Sequence, residues 1–190
     1  MSKLDFRFAS TPKKNKKPRV DRATGWMYGL TAMRAGVEAL GHGLTADLKT
    51  LQMAAQLANA KPRGIRGRFG HPGISENATG KQVMTSFNFR VEGDNLIHDA
   101  QLLEAARRSP AFSQDAVEYI LDLAENNPSE FAESAVITGE LVWTLSGGVE
   151  ISAMSEDGDS NIKRPSAALT QWPVLRPTEL HYIDLVNEGA

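Results

Sequence analysis

Hydrophobic and polar positions alternate with a period of two along much of this chain, and two stretches instead carry the three-and-four spacing of a buried helix face. In KQVMTSFNFRV, the residues Val83, Thr85, Phe87, Phe89 and Val91 alternate with more polar neighbours, which predicts a half-buried strand. NLIHDAQLL follows across Glu92-Gly93-Asp94, a short hairpin turn. TGWMYGLTAMRAG (Thr24–Gly36), aromatic and apolar with glycines towards both ends, predicts an earlier strand. EFAESAVITGELVWTL predicts a long strand, VEISAM a short one, and ELHYIDLV the last.

The first helical stripe is Leu44, Leu48, Leu51, Ala55 and Ala58, with Thr45 as the expected cap and KPRG as the stop. The second is Ala116, Val117, Ile120, Leu121 and Ala124, entered at Ser113 and ended by Asn126-Asn127-Pro128. Helices set between hairpins, with strands in the majority, predict an α+β fold rather than a βαβ nucleotide-binding sheet. Neither a G-x-x-x-x-G-K-[ST] loop nor a G-x-G-x-x-G turn is present. Arg66–Val83 (RGRFGHPGISENATGKQV) and a segment over about 155–173 have loop composition, and the second is expected to be mobile.

Composition narrows the picture. With 190 residues, 41% hydrophobic and 23% charged, the chain suits one domain with a buried core, with or without arms. A formal net charge of −2 and a pI near 6.1 speak against bulk attraction to nucleic acid. Basic charge is nevertheless concentrated in TPKKNKKPRVDR, where Lys13, Lys14, Lys16, Lys17, Arg19 and Arg22 face a single Asp21. Residues 1–22 are therefore expected to form a flexible basic arm, either merely solvated or docking on an acidic partner, and 23–190 a single domain. Without cysteine, disulfides and a thiol nucleophile are excluded. No run approaches the roughly 18 apolar residues of a membrane span, and MSKLDFRFAS lacks the apolar core of a secretory signal, so a cytosolic setting is expected.

Candidate chemistry begins with the histidines: His42, His71, His98 and His181. They are scattered, without the close spacing of a metal site, so neither metal nor cofactor is expected. His42 reads as a turn former and His98 as a partly exposed strand residue. His71 stands apart in Gly-His-Pro, where glycine admits close approach of another chain and proline stiffens the turn. A serine hydroxyl beside such a base becomes a nucleophile. Ser134, at the head of an apolar strand, is the candidate, although a packed structural serine fits the same pattern.

The segments EALGHGL, GRFGHPGISENATGKQV, FNFRVEGDNLIHDAQLL, SPAF, AENNPSEFAESAVI and LRPTELHYIDLVNEGA, in this order and spacing, resemble the tailed-bacteriophage prohead (capsid maturation) serine proteases of the herpesvirus assemblin-like group. The resemblance runs from about Thr24 to the C-terminus. It implies a compact, mostly antiparallel β-barrel-like core flanked by helices, and an endopeptidase that cleaves scaffold and major capsid proteins, and itself, inside the immature head in the host cytoplasm. It implies His71 as general base and Ser134 as nucleophile. The third member comes from ELHYIDLV. Strand alternation sets Glu179, His181 and Ile183 on one face and Leu180, Tyr182 and Asp184 on the other. Asp184 is preferred, with His181 the alternative and Glu179 third. The chain stops at VNEGA, earlier than its relatives, which puts part of an oxyanion-binding loop in doubt. Self-association is left open. Two rival readings are a catalytically inactive capsid-assembly module that retains the fold, and a nucleic-acid module using the basic arm.

Overall fold

The computed structural model describes residues 4–10, 17–39, 43–69, 82–108, 114–128, 130–153 and 164–186. Nine strands among these residues form one sheet. They are β1 (Leu4–Ser10), β2 (Arg19–Asp21), β3 (Trp26–Arg34), β4 (Ile65–Phe69), β5 (Gln82–Glu92), β6 (Asn95–Leu102), β7 (Ala132–Thr144), β8 (Glu150–Ser152) and β9 (Val174–Val186). Helix α1 (Leu48–Asn59) separates β3 from β4, and α2 (Glu104–Arg108) and α3 (Gln114–Asn126) separate β6 from β7. The architecture is α+β, as the alternation predicts. Strand order is β1-β7-β9-β4-β5-β6-β3-β2, with β8 beside β7, and every pairing is antiparallel except β4 with β9.

The sheet curls until β1 lies against β3. Among the described residues no hydrogen-bonded ladder joins these ends, so the architecture is an open, curled sheet rather than a closed barrel. Two pieces of the expected arm are strands, β1 on β7 and β2 on β3, while residues 11–16 lie outside the described residues. In LDFRFAS, Phe6 and Phe8 are both buried, a short alternation overshadowed in the sequence by the basic run that follows.

Bulges bend the sheet. Met84 and Ser86 are fully buried, whereas Thr85 and Phe87 are half-buried, so the continuous face expected from Val83 to Val91 is broken. Register shifts at Gly67/Arg68 and at Phe87/Arg90 are the cause. At the second shift Asn88 adopts φ 55°, a region Asn tolerates better than most residues. Asn59, at the end of α1, grips the bulge: its Nδ2 donates to the Phe89 carbonyl at 2.7 Å and its Oδ1 accepts from the Phe89 amide at 3.0 Å. A further shift interrupts β3 at Tyr28/Leu30, where Gly29 has φ 79°. Between these strands, Asp99 of β6 accepts from the Gly29 amide at 3.0 Å and from Asn88 Nδ2 at 3.2 Å. One carboxylate thus staples two bulges, and bulges increase local twist.

The curl wraps a single core. Leu30, Met33, Met84, Leu96, Ile137 and Ile183 fill it from the strands. Leu51, Ala54 and Ala58 enter from α1, and Val117, Ile120 and Leu121 from α3. Burying each large side chain contributes about 1.5–3 kcal/mol. The cap of α1 is Asp47 rather than Thr45: Asp47 and Thr50 form a reciprocal capping box, and Leu44 packs ahead of the helix. Thr45 instead bonds the Val37 carbonyl through Oγ1 at 2.8 Å.

Arg176 of β9 ties this cap to β8, donating to Asp47 Oδ2 at 2.7 Å and Glu150 Oε1 at 2.8 Å. Burial opposes ionisation of Asp47, but the bonds from Arg176 and Thr50 outweigh it and hold the carboxyl below its ordinary range. Bonds from Arg176 and Lys49 lower Glu150 likewise. Groups lowered in this way contribute stability that is complete above their unfolded values of about 4 and is lost as pH falls through the lower folded values. Thermal melts of wild type and Arg176→Met should therefore show a Tm gap that closes below about pH 4. A gap unchanged from pH 7 to pH 2 would contradict this account.

Candidate active site

Side-chain alternation on β7 sorts two buried polar groups onto opposite faces. Ala135, Ile137 and Leu141 belong to the core, so Glu133 points inward with them and Ser134 points outward. On β9, Ile183 and Leu185 face the core while Tyr182 and Asp184 face out. On β4, Gly67 lies under Met84, which leaves Arg66 and Arg68 on the outer face. The register then aligns three residues across neighbouring strands: Arg68 beside Asp184, and Asp184 beside Ser134. Adjacent strands lie about 4.8 Å apart, so this row is compact.

The row is also buried. Ser134 is 1% exposed, Arg68 2% and Asp184 0%. Arg68 Nε donates to Asp184 Oδ1 and Nη2 to Oδ2, both at 2.7 Å, a bidentate pair. The guanidinium lies over the Tyr182 ring, with Cζ 3.7 Å from the centroid. Two atoms of the row have no hydrogen-bond partner among the described residues: Ser134 Oγ and Arg68 Nη1.

The other sequence candidates lie elsewhere. His71 and His42 fall outside the described residues. Glu179 is half exposed and pairs with Lys61 at 3.1 Å. His181 shares a 2.5 Å hydrogen bond between its Nε2 and Thr138 Oγ1. Both occupy β9 away from Ser134, with Glu179 registered against Thr138. The face assignment in this strand needs one correction: Leu180 and Ile183 are both fully buried, so Leu180 does not share the outward face of Tyr182 and Asp184. The register shift opposite Val136/Ile137 produces the change.

On the inner face, His98 is fully buried rather than partly exposed. Its Nε2 lies 2.8 Å from Glu133 Oε2, and its ring stacks on Phe89 at 5.0 Å. Curling brings β6 and β7 together across the interior although they are not neighbours in the sheet. Sequence reasoning passed over Glu133 and Arg68. Alternating arginines in IRGRF were the one local signal for the latter, and they look like ordinary solvated charge.

Chemically, the outer row offers a hydroxyl with no competing bond among the described residues and a carboxylate with capacity to spare. Each Asp184 oxygen accepts one bond from Arg68, leaving lone pairs that could orient an imidazole. No family model matches this chain, and no curated protein matches it. A solved structure does: the bacteriophage T4 capsid assembly protease, gp21. The TM-score is 0.60, with 98% of this chain and 99% of that one covered at 10% sequence identity. The chain has the fold of a phage capsid assembly protease. Among the described residues, no helix is long and apolar enough to cross a membrane.

Breaking the buried pair from one side strands a charge. Arg68→Met should cost about 3–5 kcal/mol in urea unfolding, whereas Arg68→Met with Asp184→Leu should recover most of that loss. Equal losses in the single and double variants would mean that the destabilisation does not come from the unpaired carboxylate.

Proposed function

We propose that this protein is a serine endopeptidase of phage head maturation, of the herpesvirus assemblin-like group, with Ser134 as nucleophile, His71 as general base and Asp184 as the residue that orients the base. The observation that carries the reading is the register of β7 on β9, which sets an unbonded, buried hydroxyl beside a buried carboxylate on the strands of a capsid-protease fold. His71 follows Arg68 by three positions, and Arg68 is the β4 residue registered with Asp184.

In the proposed reaction Ser134 Oγ attacks the scissile carbonyl while the imidazole takes its proton. The imidazole then delivers that proton to the leaving amine, and water releases the acyl group. Asp184 holds the imidazole in the tautomer that can accept from serine, and stabilises the cation formed. The substrates are scaffold and capsid polypeptides, and the chain itself, within the immature head. A hydroxyl 1% exposed cannot meet a peptide, so turnover requires its cover to move.

The same burial, together with the engagement of Asp184 by Arg68, favours a second reading, an assembly module that keeps the fold without catalysis. Incubation with scaffold and capsid polypeptides, followed by mass spectrometry, separates the two. Wild type should cleave, and Ser134→Ala should lose activity by about 10⁴-fold or more. Cleavage undiminished in Ser134→Ala would overturn the serine mechanism. A folded wild type that assembles with capsid protein yet cuts nothing would establish the module.

A further inference from the structure

Arg68 has two edges, and the described residues bind only one. Nε and Nη2 form the edge bound to Asp184, and the flat face rests on Tyr182. Nη1, on the far edge, brings two N–H donors and meets no acceptor among the described residues, in a side chain 3% exposed. Leaving a buried charged donor unmatched is costly, and the residue is locked too firmly to swing towards solvent. The second unmatched group nearby, Ser134 Oγ, lies on the same face, on the opposite flank of Asp184. Two orphans on one face, flanking one carboxylate, place a donor and a hydroxyl where a polar ligand would match both.

The charge of the pair selects the ligand. Arg68 and Asp184 together are neutral, and a second carboxylate brought to Nη1 would meet the buried Asp184 charge nearby. A neutral oxygen with free lone pairs meets no such repulsion. On the protease reading, on which this inference rests, the bound polypeptide supplies such oxygens as main-chain carbonyls.

We infer that Arg68 is a substrate-binding residue whose Nη1 donates to a main-chain carbonyl of the bound chain, next to the scissile bond rather than at it. A guanidinium already neutralised by Asp184 gains little as charge develops on a reacting oxygen. It binds ground state and transition state about equally, and this kind of contact acts on KM rather than on kcat.

The test pairs Arg68→Lys, which keeps a positive charge opposite Asp184 but loses Nη1 together with the bidentate fork, with a substrate series in which each backbone carbonyl in turn becomes a thioamide, a weaker acceptor. Arg68→Lys should raise KM about tenfold or more, a larger factor than that by which its weaker hold on Asp184 lowers kcat. One thioamide position flanking the scissile bond should weaken binding to wild type and have little further effect in the variant. A fall in kcat at constant KM, or the same thioamide profile in both proteins, would overturn the assignment.

If Arg68→Lys does not fold, Ser134→Ala titrated with uncleaved peptide provides the measurement, through ¹⁵N-labelled arginine side-chain resonances. Arg68 Nη1 protons should shift downfield on binding, and unmoved resonances at saturation would refute the contact. Loss of cleavage in Ser134→Ala with no Arg68 coupling would sink this inference while leaving the serine mechanism standing.

Discussion

Everything proposed for the site depends on backbone register at the junction of β4, β9 and β7. These strands come from distant parts of the chain, and their ladders alone bring Arg68, Asp184 and Ser134 into one row. A slip of one residue turns every side chain of a strand to the other face. In β7 such a slip would turn Ser134 into the core and carry Glu133 out of it. The register is held where large apolar residues must stay inside, at Ile137 and Leu141 of β7 and at Leu180 and Ile183 of β9. Core packing thus decides which face each of these side chains takes.

Buried polar pairs flank this end of β7 on both faces of the sheet. Outside, Asp184 and Arg68 neutralise each other through two short bonds, and inside, Glu133 and His98 are joined by one. A buried ionic pair such as Arg68 with Asp184 is a poor source of net stability, because desolvation offsets much of the attraction, and a neutral hydrogen bond adds little more. Their value lies in geometry. Each accepts few arrangements of its partners, so the outer pair restricts how β4 meets β9 and the inner pair how β7 faces β6. Glu133 and Ser134 are consecutive, and the inner pair therefore constrains the strand at the position next to the proposed nucleophile.

Elements with strong apolar periodicity were legible in the sequence. Helix α3, strand β7 and the hairpin of β5 and β6 fall where the pattern places them. Strand β4 was not, because IRGRF has two arginines and a glycine in five positions, and its single parallel partner lies far along the chain. Strand β1 was hidden by the lysine-rich run that follows it. The alternation read across β5 and β9 failed where bulges shift the phase, and nothing in NFR or LHY announces a bulge. Ser134 and Asp184 could be chosen through family resemblance, but their adjacency is a matter of register. Arg68 could not be chosen at all, since its partner is 116 positions away.

The staple formed by Asp99 reaches beyond the interior it shapes. Among the described residues β1 and β2 end the main strand order, and the curvature brings β1 against β3 near the opposite end. Exposed margins of flat sheets recruit strands from neighbouring molecules. A single carboxylate that helps to maintain the bend therefore also keeps those margins from presenting a flat edge to neighbouring molecules.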